Sequence, residues 1–353
     1  MEGEKSVSMD DIARMAGVSV ATVSRVINQN GRYSSETERK VQSLIEKYGY
    51  VPNMAARGLK TRRSNFIGVI VPDITNEFFA RIIRYLELFF LKHQYSVLIC
   101  DSHEDIEIGL RAQGYMALVC NTGEDEAAEE QYLKMLAAAD LAGLIFISGS
   151  VGVVEKSLRK LPAVYIDRAP SDSRDALVVE SDNYGGACLA VQELYRKGCR
   201  RIACMQSAKV ISTYSFRYSG YRDQLALYGL PQEEALHLQV DEISFRAAYQ
   251  AIEGLLDRSV AFDGLFCASD WLALGAMAAL EARGVRVPQD VKIVGFDDIS
   301  VASLTAKPLT TIRQQTDMLG ATAAEEILRL IGGAPVRAQR IQISVSLVGR
   351  KTT

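Results

Sequence analysis

Residues 10–28 read D-D-I-A-R-M-A-G-V-S-V-A-T-V-S-R-V-I-N, and their spacing decides the first domain. Ile12, Ala13 and Ala16 recur on one helical face before Gly17-Val18 interrupts the run. Ser19 is placed to cap a second helix through its hydroxyl. On that helix Val23, Val26 and Ile27 make an apolar stripe, which turns Thr22, Ser24 and Arg25 outward. Two short helices across a tight glycine turn, the second with a polar outer face, form a helix-turn-helix pattern. An ordinary helical hairpin with a solvated face has the same spacing, so the residue types must decide between them. Glu36 to Tyr48 supplies a third helix, with Val41, Leu44 and Ile45 as its buried face and Ser35 as its expected cap. The resulting three-helix core spans only about fifty residues and is marginal by itself.

Residues 16–28, A-G-V-S-x-x-T-V-S-R-V-I-N, closely resemble the headpiece signature of the lactose/galactose repressor family of bacterial transcription regulators. The resemblance implies that the second helix lies in the major groove of double-stranded DNA. It places Val20, Ala21 and Arg25 at base-reading positions. Val20 and Ala21 have no hydrogen-bonding side chain and can sense only shape and thymine methyls, whereas Arg25 can fork onto a guanine. Ser8, Ser19, Thr22, Ser24, Asn28 and Arg32 fall at phosphate-contact positions, which fix register without reading sequence. Val51 to Leu59, V-P-N-M-A-A-R-G-L, resembles the hinge helix of the same family, with Asn53 and Ala56 on it and Leu59 in the place of the residue that wedges a base step open. Pro52 can start that helix, but the segment is too short to hold it alone in water, so it is expected to fold on DNA. The expected domains are therefore 1–51, an all-α headpiece; 52–64, hinge and linker; and 65–353, an effector-binding and dimerisation body.

The bulk numbers agree with a small reader on a large body. The chain has 353 residues, 48% hydrophobic and 24% charged, with a net charge of −3. Residues 1–64 hold eleven Lys/Arg and seven Asp/Glu, or +4, which leaves −7 for the rest. Six Cys at 100, 120, 188, 199, 204 and 267 include no C-x-x-C pair, and His occurs only at 93, 103 and 237, so neither a metal site nor a cofactor is expected. The amino terminus has no apolar signal region and no run reaches membrane-spanning length, which reads as a cytoplasmic protein without a membrane partner.

From Phe66 on, apolar runs alternate with helical stretches: Phe66–Val71, Leu141–Ile147, Ala163–Ile166, Arg201–Met205, Leu265–Ala268 and Val291–Gly295. This alternation indicates α/β architecture with parallel sheets, in two halves that change over near Val164–Asp182 and Phe296–Leu309. The family resemblance implies a two-lobed body of periplasmic-binding-protein type with three crossovers. Ligands in such sheets bind beyond the carboxyl ends of the strands. The segments that follow the strands supply Asp73, Phe78, Asp167, Arg217, Ser269, Asp297 and Gln314 as candidate effector contacts, each in a segment resembling a family motif. Arg217 and Asp297 could pair hydrogen bonds with vicinal hydroxyls. Asp270 and Asp298 are expected to cap helices, and Asp182-Asn183 to form a turn and cap. Ser269 stands where the family has Asn, so effector identity does not carry over at that position. Cys199 replaces a usual His.

Tyr95–Asp105 (Y-S-V-L-I-C-D-S-H-E-D) echoes Tyr115–Asp125 (Y-M-A-L-V-C-N-T-G-E-D), giving an internal repeat of 86–105 and 106–125. A tandem duplication is expected to add a short helix and an edge strand; extrusion of one copy is the alternative. The last strand-like run, Ile341–Val348, is followed by no leucine heptad, which implies a homodimer rather than a tetramer.

These features imply a transcription regulator, read as a repressor, on a palindromic operator and under small-molecule control, with a sugar or sugar derivative as the leading effector. A nucleobase corepressor or a partner protein are alternatives, as is a solute-binding protein without a DNA role. No Ser/His/Asp order, metal cluster or phosphate loop points to an enzyme.

Overall fold

The computed structural model describes residues 9–27, 32–48, 66–93, 96–99, 120–121, 136, 141–147, 161–168, 176–209, 211–336 and 339–353. Ser8, Asn28, Asn53, Ala56 and Leu59 lie outside these residues, as do the hinge and most of the internal repeat. The described residues fall into two compact units.

The first unit holds α1 (Met9–Ala16), α2 (Val20–Ile27) and α3 (Ser35–Tyr48). Ile12, Ala13, Ala16, Val23, Val26 and Val41 form its core, with Leu44 and Ile45 packed against it. Gly17 takes φ +71°, the left-handed turn after α1, where any Cβ would add strain. Ser19 caps α2 as expected, its Oγ accepting from the Thr22 N–H at 3.2 Å. The cap of α3 is Ser34, whose Oγ accepts from the Thr37 N–H at 3.2 Å, rather than the expected Ser35. Two adjacent serines offer the same hydroxyl, and only the backbone path selects between them.

The second unit contains β1 (Phe66–Val71), α4 (Glu77–Lys92), β2 (Ser96–Ile99), β3 (Cys120–Asn121), β4 (Gly143–Phe146), β5 (Ala163–Ile166) and β6 (Leu177–Ser181). Then come α5 (Asn183–Arg196), β7 (Ile202–Ser207), α6 (Ser212–Leu227), β8 (His237–Val240), α7 (Phe245–Asp257), β9 (Gly264–Cys267) and α8 (Asp270–Ala282). The chain ends with β10 (Lys292–Asp297), α9 (Ser300–Leu304), β11 (Thr310–Gln314), α10 (Thr316–Ile331), β12 (Arg340–Ile343) and β13 (Val345–Val348).

These strands build two sheets. The first runs β12-β6-β5-β4-β1-β2, with β3 also beside β1, and is parallel throughout. The second runs β13-β11-β10-β9-β7-β8 and is parallel except for β13, which pairs antiparallel with β11 at the edge. Every residue of β4, β6, β7 and β9 is buried, as expected for strands covered on both faces by helices. One apolar core fills the first lobe, and two cores lie on the second sheet.

Three crossings join the lobes. β6 leads through Asp182 into α5 of the second lobe. β11 leads through Gln315 into α10, which returns Leu319, Ala323, Ala324 and Ile327 to the core of the first lobe. The third lies at Ser344, between β12 in one sheet and β13 in the other. The second crossing thus falls at Gln315 and not within Phe296–Leu309, because Thr310–Gln314 is a further strand of the second sheet. The crossings are stitched together. The Asp182 N–H donates to the Ile343 carbonyl at 2.8 Å, and Gln315 Nε2 donates to the Ser344 carbonyl at 2.9 Å.

Candidate functional site

The polar side of α2 is the first candidate surface. Ser19, Ala21 and Arg25 are exposed, and Ala21 and Arg25 lie four residues apart on one helical face. Thr22 and Ser24 are half-buried, and Arg32 is exposed. Val20, expected to face outward, is half-buried and packs against the headpiece core. The Ser19 hydroxyl lies 2.9 Å from that of Thr22, so both already serve the helix start.

The second candidate is a cavity of about 310 Å³ at the carboxyl ends of strands from both sheets. The first lobe contributes Asp73, Asn76, Phe78, Phe79, Asp167 and Arg168. From the second come Lys209, Thr213, Tyr214, Arg217, Glu242, Ile243, Ser269 and Asp297. Six of the seven residues expected from sequence therefore line one space. The seventh, Gln314, stands behind it and donates Nε2 to Asp297 Oδ1 at 2.7 Å.

Arg217 organises the centre. Only 4% of it is exposed. It donates to Asn183 Oδ1 at 2.8 Å and to the Ala268 carbonyl at 2.6 Å, lies over the Phe296 ring at 3.7 Å, and approaches Asp297 Oδ1 at 3.9 Å. Asp182 caps α5 as expected, accepting from the Gly185 N–H at 2.8 Å, and so presents Asn183 to the guanidinium. Asp167 sits at φ +67° with its Oδ1 buried and without a hydrogen-bond partner. Burial raises its pKa against the pull of Arg217 and Arg168. Phe78 packs edge-on to Phe79 with centroids 5.2 Å apart, and Arg168 lies over the Phe79 ring. Asp73 is partly engaged already: its Oδ1 accepts from the Thr75 N–H at 2.9 Å and the Thr75 hydroxyl at 2.7 Å.

Two expectations need correction. Asp270 does not cap its own helix. Ser269 does so, accepting from the Leu272 N–H, so the cavity residue Ser269 also has a structural duty. Asp270 is fully buried and accepts from the Ile299 N–H at 2.9 Å and the Thr311 hydroxyl at 2.5 Å, tying the start of α9 to β11. Asp298 binds Arg313 at 2.6 Å and Arg350 at 2.5 Å in place of capping α9. Close by, the Glu77 carboxylate on α4 accepts from the Ser300 N–H at 2.7 Å and hydroxyl at 2.6 Å, while Arg81 donates to the Asp298 carbonyl at 3.1 Å. These bonds clasp the first lobe to the second.

The residues that sequence reading missed have identifiable signals. Thr213 and Tyr214 lie one helical turn before Arg217. Phe79 and Arg168 follow chosen residues directly. Glu242 and Ile243 follow β8, whose four residues H-L-Q-V are too few to mark a strand by alternation.

Burial, opposed by Arg217 and Gln314, pushes the Asp297 carboxyl up to about 7. The folded state thus holds a proton that the unfolded chain releases near its ordinary 3.8. That contribution to stability is complete below 3.8, is lost progressively as pH rises from there through 7, and levels off above it. Between pH 6.5 and 8 the ligand-free protein should lose roughly 1 kcal/mol through this group. Denaturant unfolding at the two pH values measures it, and Asp297→Asn should flatten the dependence; an equal slope in that variant would assign it elsewhere.

Among the described residues no cluster of metal-ligating side chains occurs, and no helix is long and apolar enough to cross a membrane.

Residues 8–53 match the family model described as bacterial regulatory proteins, lacI family, and residues 191–353 match that of a periplasmic binding protein-like domain. The ribose operon repressor of Halalkalibacterium halodurans is 32% identical, with 97% of this chain and 96% of that protein covered. The crystal structure of the Lac repressor dimer bound to operator and the anti-inducer ONPF superposes with a TM-score of 0.83 at 27% identity, covering 99% of each chain. A LacI family transcriptional regulator from Enterococcus faecium with bound ribose superposes with a TM-score of 0.67 at 28% identity, covering 82% of this chain and 98% of that one.

Proposed function

This chain belongs to the lacI family of bacterial regulatory proteins and is a DNA-binding transcription regulator with a small-molecule effector; we propose that it is a cytoplasmic repressor whose effector is a sugar or sugar derivative. Two headpieces of a homodimer straddle a palindromic operator, with Arg25 and Ala21 of each facing base edges. Ser8, Ser19, Thr22, Ser24, Asn28 and Arg32 hold phosphates, and Asn53, Ala56 and Leu59 act from the hinge in the minor groove. The observation that carries the effector reading is the cleft between the sheets, where Arg217 can donate while Asp297 and the unpartnered Asp167 Oδ1 can accept. A polyol supplies hydroxyls that both donate and accept, and Phe78 and Phe79 offer apolar surface to a sugar ring. The ribose named with the Enterococcus faecium structure makes pentoses the first compounds to test.

Thermal-shift screening of pentoses, hexoses and nucleobases tests this reading, followed by operator titration with each hit. A sugar should raise the melting temperature and change operator affinity by about 5–150-fold, and DNA should alter sugar affinity by the same factor. A shift with nucleobases alone would overturn the sugar assignment. For the headpiece, Arg25→Ala should cost roughly 1–3 kcal/mol of operator binding, concentrated at one base pair. A loss spread evenly over all sequences would reduce Arg25 to a phosphate contact.

A further inference from the structure

Among the described residues the buried threonines are Thr213, Thr310, Thr311 and Thr352. Three of them have their hydroxyls occupied. Thr310 Oγ1 lies 3.0 Å from Thr353 Oγ1, the Thr311 hydroxyl donates to Asp270 at 2.5 Å, and that of Thr352 donates to the Ile293 carbonyl at 2.8 Å. The Thr213 hydroxyl has no hydrogen-bond partner among the described residues, although only 2% of the residue is exposed. A buried hydroxyl without a bond is unfavourable, and valine fills the same space without that cost. Thr213 lines the cleft, so the bond it does not make within the fold is open to a ligand.

Two further donors lie beside it. Ile211 precedes α6 and caps it with no side-chain bond, so the first N–H groups of the helix, that of Thr213 among them, have no side-chain cap. Arg217 is four residues on and shares the helical face of Thr213. Its bonds to Asn183 and Ala268 use Nε and Nη1, which leaves Nη2. Charge then selects the ligand. Three buried carboxyls, Asp167, Asp270 and Asp297, share this neighbourhood with the two buried guanidinium groups of Arg168 and Arg217. A phosphate or carboxylate brought into the cleft would add to the acidic excess, whereas a hydroxyl can accept from Nη2 and donate to Thr213 Oγ1. On the reading that the effector is a sugar, we propose that Thr213 is a specificity-determining residue of the cleft, bonding one hydroxyl of an uncharged sugar together with Arg217 Nη2. A site built around such a bond rejects the analogue that lacks the hydroxyl, because its own polar group is then left unpaired.

Calorimetry on the full chain tests this, with D-ribose as the probe, D-glucose where D-ribose gives no heat, and the monodeoxy analogues and terminal phosphate of whichever binds. Thr213→Val should weaken sugar binding about 10–100-fold, and Thr213→Ser should recover most of the loss. The wild type should discriminate against one monodeoxy analogue by a similar factor. The valine variant should bind that analogue as tightly as the parent sugar while still discriminating against the others. A loss equal for the sugar and every analogue would mean that Thr213 only shapes the cleft, and tighter binding of the phosphate than of the sugar would overturn the uncharged ligand. A wild type that binds neither sugar removes the sugar reading itself, whereas a valine variant equal to a sugar-binding wild type removes Thr213 alone. Melting of the ligand-free protein needs no sugar. Thr213→Val should melt at the wild-type temperature or above it, and a drop of more than about 2 °C would expose a protein partner for the hydroxyl and overturn the assignment.

Discussion

Arg217→Ala should abolish the ligand response and leave operator binding by the ligand-free protein unchanged. The guanidinium is the cation that Asp297 and Asp167 share, and it bridges Asn183 at the start of α5 to the end of β9. Its removal takes a paired donor from the cleft and leaves two buried carboxyls without their principal counter-charge. Breaking a buried network from one side costs about 3–5 kcal/mol, and the lower figure is expected here because Asp297 can take up a proton near neutrality. Arg217→Lys keeps a charge but loses the planar fork that reaches Asn183 and Ala268 together, so it should restore stability better than response. Calorimetry with the sugar identified by thermal shift, together with operator titration, reads both quantities. A response of normal size in the alanine variant would remove Arg217 from the site.

The second large effect lies away from the cleft, at the contact between α7 and α8. A Cβ on Gly275 would meet the Phe245 carbonyl oxygen well inside contact distance and come within 2.9 Å of Ala248 Cβ. A backbone carbonyl at a helix start cannot rotate aside, so the two helices must separate over the second core. Gly275→Ala should therefore cost about 3 kcal/mol and lower the melting temperature by roughly 6–12 °C. Gly254, within α7, has open space where its Cβ would go. There the same substitution should stabilise by about 0.5–1 kcal/mol through the helix preference of alanine. Opposite signs for two glycine-to-alanine changes in one helix pair are the signature of close approach. If Gly275→Ala behaves like Gly254→Ala, α7 and α8 do not approach each other closely at Gly275.

What could be read from sequence follows from how local each cause is. The apolar stripe of α2, the Ser19 cap and the Gly17 turn depend on neighbours within one or two helical turns, and all three are found in the structure. The six expected strands are present as well, two with the expected ends and four with ends shifted by one or two residues. Leu177–Ser181 and Thr310–Gln314 were not recognised as strands because they carry Glu180, Thr310 and Gln314 at buried positions, so alternation fails as a guide. Their polar groups are accommodated by distant partners such as Thr352, whose hydroxyl accepts from the Thr310 N–H at 2.8 Å. The cleft residues were legible where they follow a recognised strand. The fate of neighbouring carboxyls was not: Asp270, Asp297 and Asp298 are alike in sequence, and only tertiary packing buries one among hydroxyl and amide donors, turns another into the cavity and pairs the third with two arginines.

The three stitched crossings at Asp182, Gln315 and Ser344 have a mechanical result. A lone connector would let the lobes twist, bend and swing in any direction. Three side by side, bonded to one another, act like the knuckles of a door hinge: torsion would tear hydrogen bonds from all of them at once, whereas folding about their common line strains none. The gate that this hinge carries therefore has one cheap direction of travel, and the clasp of Glu77 and Arg81 on Ser300 and Asp298 is the catch on that path.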